Sequence, residues 1–129
     1  MRTVAPDPRD LLPLKPLVFQ VLLVLADGER HGWRLVRDLQ QRTGGQRLLP
    51  GNLYRLLRSM MDEDLIAEHE PTRTVRTQAA GETGANAERR RYFALTAFGR
   101  RVARAEAERL EQLVAESRRK QILTSRAGR

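Results

Sequence analysis

Cysteine is absent from the 129 residues, which excludes disulfides, thiolate metal sites and cysteine nucleophiles. Aromatics are few: one Trp, two Tyr and three Phe. The two histidines, His31 and His69, stand alone and lack metal-ligand spacing, so no metal and no other cofactor is expected. Long hydrophobic runs are missing too. The longest, residues 17–26, is broken by Gln20 and reaches about half a membrane span, so no membrane partner is expected. The opening MRTVAPDPRD mixes acids with prolines and makes a poor signal peptide, which points to the cytoplasm. No P-loop, GxGxxG or GxSxG occurs. The acidic run Asp62-Glu63-Asp64 has no nucleophile or histidine beside it and reads as a solvated turn. An enzyme is therefore not expected.

What the sequence does have is arginine. Lysine is limited to Lys15 and Lys120, and the other 22 of the 24 basic residues are Arg. Against 16 acids this leaves a net charge of +8 and a pI near 11.2. Such a balance favours a polyanionic partner, nucleic acid first and an anionic membrane surface second, and Arg suits bidentate phosphate contacts, although a GC-rich genome gives the same bias.

The chain reads as one domain, mainly α with a small β-hairpin. Residues 1–13 hold Pro6, Pro8 and Pro13 and read as a flexible arm. Pro16 suits the first turn of a helix whose apolar residues 17–25 go almost all round, the mark of a buried central helix. Asp27-Gly28 stops it. Trp33, Leu35, Val36 and Leu39 give a second, amphipathic helix from Gly32 to the Gly44-Gly45 break, with Trp33 expected in the core and His31 in the turn before it. Leu53, Leu56, Leu57, Met60 and Met61 stripe a third helix opened by Pro50-Gly51-Asn52. Residues 65–70 and 89–95 read as the strands of a hairpin, joined by an aperiodic loop over 71–88. Thr96 is a good N-cap for a last helix running to about residue 123, and 124–129 reads as a disordered tail. Three helices, a hairpin and a long helix is the order of a winged helix-turn-helix domain (14–95) followed by a dimerisation helix (96–123), the third helix being the one that enters the major groove.

At several of these points the chain resembles the PadR family of bacterial transcriptional regulators. The pieces are LLVLADGERHG (22–32) followed by Trp33, LPGNLYRLL (49–57), Asp64-Leu65-Ile66 and RRRYFALTAFG (89–99), and the likeness extends from residue 14 to about 115. The single helix after the hairpin resembles the branch of the family with a short C-terminal part. The resemblance implies a homodimeric winged-helix repressor, bacterial, cytoplasmic and bound to the nucleoid, with a possible small hydrophobic or aromatic effector. Two features depart from the family pattern. Lys15 stands where a Ser or Thr usually caps the first helix, and the loop 71–88 is longer than the usual wing.

The residues expected to meet DNA are Asn52, Tyr54, Arg55 and Arg58 on the third helix, and Arg73, Arg76, Arg89, Arg90 and Arg91 in the wing. Asn52 is equally suited to capping the helix, and Tyr54 to packing under the turn. Leu110, Leu113 and Val114, with Ile122 and Leu123 beyond them, form a surplus apolar stripe expected to bury against a second copy. An effector is expected at the seam of the first and last helices, against Val18, Phe98, Val102 and Leu110. A competing reading is a winged-helix module that docks proteins through its long helix and binds DNA weakly or not at all.

Overall fold

A computed structural model of the chain describes residues 6–42, 50–69 and 91–124. The order is a short 3-10 helix (Pro8–Leu11), α1 (Pro16–Ala26), β1 (Arg30–His31), α2 (Gly32–Arg42), α3 (Pro50–Asp62), β2 (Ile66–His69), β3 (Tyr92–Leu95) and α4 (Ala97–Arg119). The strands form one antiparallel sheet in the order β1-β3-β2. Helices two and three with a small sheet behind them are the parts of a winged helix-turn-helix.

α1 is the hub. Pro16 occupies its first turn, and Lys15 sits at the N-cap without a side-chain cap bond, the local consequence of the missing Ser or Thr. Val18, Val21, Leu22, Val24 and Leu25 are buried, and the helix packs against α2, β3 and α4. Leu23 alone among the large apolar residues of α1 is exposed. Gly28 takes φ +138°, a conformation that any side chain would strain, and turns the chain into β1.

α3 buries Leu53, Leu57 and Met60 and ends where Asp64 adopts a left-handed conformation. The Leu65 N–H returns to the Met60 carbonyl, which closes the last turn. The same corner starts α4. The Thr96 hydroxyl accepts from the Gly99 N–H at 2.8 Å and shares its proton between the Asp64 and Leu65 carbonyls at 2.6 and 3.0 Å. A Cβ on Gly99 would collide with the Leu65 carbonyl, so glycine is required for α4 to leave the sheet this closely. The α3 terminus, the sheet and α4 are thereby locked at one point.

Three expectations change. Where a flexible arm is expected, residues 6–13 instead carry the 3-10 helix, capped by Asp7 and packed on α4, with Leu11, Leu12 and Leu14 against the core. The hairpin gains a third strand: Arg30 and His31, read as turn, pair with Phe93 and Tyr92. α4 ends at Arg119, not near residue 123, because Gln121 turns left-handed and the Ile122 and Leu123 N–H groups fold back to the Ser117 carbonyl. Even so α4 spans 23 residues, roughly 35 Å, and its far half outruns the core.

Glu106 is the one charged residue among the buried ones described, at 2 % exposure. Arg109 binds its two oxygens at 2.7 and 2.8 Å, and the Leu14 N–H donates to one of them at 3.3 Å. The Arg109 hydrogen bonds hold its carboxyl below the usual range against the opposing effect of burial. Its sequence neighbours suggest a solvated charge. The docked N-terminal segment is what covers it.

Candidate nucleic-acid interface

Burial of one face of α3 decides what its other face offers. With Leu53, Leu57 and Met60 inward, Asn52, Arg55, Arg58, Ser59 and Asp62 are all exposed on the outer face. Arg55 Nη1 donates to Asn52 Oδ1 at 3.2 Å, so the amide orients the guanidinium one turn further along. Asn52 is thus drawn to a side chain, and the pair presents a fork of donors suited to a guanine edge or a phosphate. Tyr54 is half-buried and packs against the core, with part of its surface exposed. α3 follows α2 as in a helix-turn-helix, and the segment between them, 43–49, where the turn is expected, lies outside the described residues.

α2 adds residues that sequence reading passed over. Arg34 and Arg37 are exposed on its outer side. Arg34 pairs with Asp38 at 3.5 Å, whereas Arg37 has no ion-pair partner among the described residues. In helix-turn-helix proteins the first helix crosses the DNA backbone. The available signal was the unmatched arginine on the polar face of an amphipathic helix.

In the wing only Arg91 can be placed. It is exposed and meets Glu68 across the sheet at 3.2 Å, a solvent-screened pair that leaves the guanidinium accessible. Arg73, Arg76, Arg89 and Arg90 lie outside the described residues.

The base of the wing carries a row of rings that pairing brings together. Tyr92 faces His31 on one neighbouring strand and His69 on the other. The His31 and Tyr92 rings lie 4.2 Å apart, Tyr92 and His69 5.6 Å, and Trp33 stacks on His31 at 6.0 Å. His69 Nε2 meets Glu29 Oε2 at 2.7 Å. Partial burial, with the Glu29 charge, pushes the Tyr92 phenol up. Trp33, expected in the core, is 45 % exposed: β1 places it at the open end of this row, and Leu35 and Leu39 take the inward positions of α2. Among the described residues no three His, Cys, Asp or Glu side chains gather as a metal site.

The residues expected at the seam divide in two. Val18, Phe98 and Val102, expected to line an effector site, are buried in the chain's own core, because α1 and α4 close on each other within one copy. Leu110 keeps partial exposure, and Leu113, Val114, Ile122 and Leu123 are exposed, Leu113 at 47 % and Ile122 at 81 %. No helix among the described residues is long and apolar enough to cross a membrane.

Comparisons with known proteins agree with this arrangement. No curated protein matches the chain. Among solved structures, the complex structure of hsRosR-S4 is similar at 22 % identity and TM-score 0.59, covering 86 % of this chain and 96 % of that one. A transcriptional regulator from Clostridium thermocellum is similar at 16 % identity and TM-score 0.58, covering 94 % of this chain and all of the other. Lactococcus lactis ZitR is similar at 15 % identity and TM-score 0.60, covering 98 % and 73 %. At these identities the likeness is one of fold. The family is carried by sequence: the model of the transcriptional regulator PadR-like family matches residues 21–105, from within α1 through the helix-turn-helix and wing into α4. The chain belongs to the PadR-like family of transcriptional regulators and is a DNA-binding regulator, not an enzyme.

Proposed function

We propose that the protein is a repressor that binds a two-fold symmetric operator as a homodimer. The observation that carries this reading is the outer face of α3, where Asn52 and Arg55 form a joined, exposed pair while the opposite face is anchored in the core. In this reading α3 enters the major groove, Arg55 reads a base edge, and Arg58 and Tyr54 contact the groove wall. Arg37 and the wing arginines, Arg73, Arg76, Arg89, Arg90 and Arg91, neutralise phosphates or enter the minor groove. The exposed stripe of Leu110, Leu113 and Val114 supports self-association: a second copy would bury it and set two reading helices about one turn of DNA apart, roughly 34 Å. A hydrophobic effector would loosen operator binding by competing with the second copy for this stripe around Leu110, since Val18, Phe98 and Val102 are already taken up by the core. The protein acts in the bacterial cytoplasm, on the nucleoid.

Selection of bound duplexes from a random pool tests the proposal. A motif with two-fold symmetry, bound with a steep dependence on salt, is the expected result. Enrichment of no motif, with only weak salt-sensitive binding to all duplexes, overturns it and leaves a protein-docking role.

A further inference from the structure

The end of α1, the Arg30 side chain and the last turns of α2 enclose an open pocket of about 300 Å³. Val24, Asp27, Arg30, Asp38, Gln41 and Arg42 line it. Two carboxylates and two guanidiniums share this space, and they are not all spent on one another. Asp38 is engaged, with Arg30 at 3.4 Å and Arg34 at 3.5 Å. Arg30 is held in place by the carbonyls of Gly28 and Glu29, both 3.0 Å from Nη1, while its buried Nε faces Asp38 without a hydrogen bond. Its Nη2 has no partner among the described residues. Among the described residues Arg42 uses only Nε, on Gln20 at 3.2 Å. The Asp27 carboxylate has no hydrogen bond or ion pair among the described residues. An unengaged acid and unengaged guanidinium donors therefore line the same pocket.

We infer that this pocket binds a compact zwitterion of the free α-amino acid class and that its occupancy sets the position of α2. A pure anion would face Asp27 as well as the arginines, and a pure cation would face the arginines, so a ligand carrying both charges fits the lining best. The ammonium is placed at Asp27, where the C-terminus of α1 adds negative potential. The carboxylate is placed at Arg42 and Nη2 of Arg30, in the planar geometry that guanidinium favours. The volume lies at the lower end of small-molecule sites, and Val24 is the only apolar wall among the described residues, so the side chain is small or polar. Such a ligand ties the residue that caps α1 to the last residue of α2, the helix that precedes α3 in the chain. It is separate from the hydrophobic seam. Its regulatory half rests on the DNA-binding reading above, whereas its binding half does not.

The test uses the full chain without DNA. Free amino acids are titrated calorimetrically, and the tightest is compared with its N-acetyl and methyl-ester forms. The expected result is saturable binding of at least one amino acid, weakened at least about tenfold by loss of either charge. Asp27→Asn and Arg42→Gln should each weaken it by a similar factor while leaving the unliganded melting temperature unchanged. No saturable binding, equal binding of the singly charged forms, or no effect of both substitutions overturns the site. A second titration, of operator DNA with and without saturating amino acid, should show at least about a fivefold change in affinity. Binding that leaves operator affinity unchanged overturns the coupling to α2, and failure of operator binding without ligand is a failure of the repressor reading alone.

Discussion

Replacing Arg55 with Ala separates reading from anchoring. Arg55 is exposed, and its one described bond is to Asn52 at 3.2 Å, so removal should leave folding stability nearly unchanged. The loss of affinity then reports the DNA contact itself. A good guanidinium contact to a base edge is worth about 1–3 kcal/mol. A symmetric operator contains two such contacts, so the dimer should lose about 2–6 kcal/mol, at least about thirtyfold in affinity. Because a phosphate charge is the same at every step and a base edge is not, the loss should fall on the operator and spare scrambled duplex. Asn52→Ala should reproduce part of the effect by freeing the guanidinium. The double mutant should then lose less than the sum, since the second substitution removes an arginine already disoriented. The assay is fluorescence anisotropy at several salt concentrations on operator and scrambled DNA. An equal drop on both duplexes, with the salt slope reduced by about one unit per lost contact, would refute the assignment and make Arg55 an anchor.

Three other outcomes follow from the geometry. Leu110→Glu with Leu113→Glu should give a folded monomer near 14.8 kDa by light scattering and abolish operator binding, and a persisting dimer places the interface elsewhere. Gly99→Ala should cost about 1–3 kcal/mol in urea unfolding, because the obstructing atom is the Leu65 backbone carbonyl and cannot swing aside; an unchanged midpoint shows that the α3–α4 corner is pliable. Glu106→Gln should speed hydrogen exchange at the Leu14 amide and flatten acid unfolding. The folded carboxyl titrates below its unfolded value, so its contribution is present above the ordinary carboxylate range and is lost as pH falls through the folded value. An acid limb identical in variant and parent would show that Glu106 contributes nothing to it.

The helices were legible because each rests on a local rule. Leu53, Leu57 and Met60 recur at helical spacing, Thr96 precedes its helix as a capping hydroxyl, and Pro16 opens α1, all within a few residues along the chain. The polar face of α3 was readable by the same route. Once the buried stripe is known, Asn52, Arg55 and Arg58 can only lie opposite. The partner of Arg55 is also local, three residues away.

By itself, then, the sequence determined which segments become helices and where most of them start, the order of the winged helix-turn-helix, the family and the exposed polar face of α3, since a periodic pattern and its caps act over one or two turns. Tertiary structure decided whatever depends on a partner distant in sequence. Arg30 and His31 become a strand only because β3 arrives beside them, sixty residues later. Two residues carry too little pattern to announce that pairing. That strand in turn moves Trp33 out to the end of the ring row. Glu106 looks like any charge on a long helix until the N-terminal segment folds over it and Leu14 donates to it across 92 residues. Val18, Phe98 and Val102 are apolar in a way that suits a core or a seam equally, and only the closure of α1 on α4 assigns them to the core. Hydrophobicity fixes that a side chain leaves water. It carries no information on which surface covers it, and that choice is made by the packing of the whole chain.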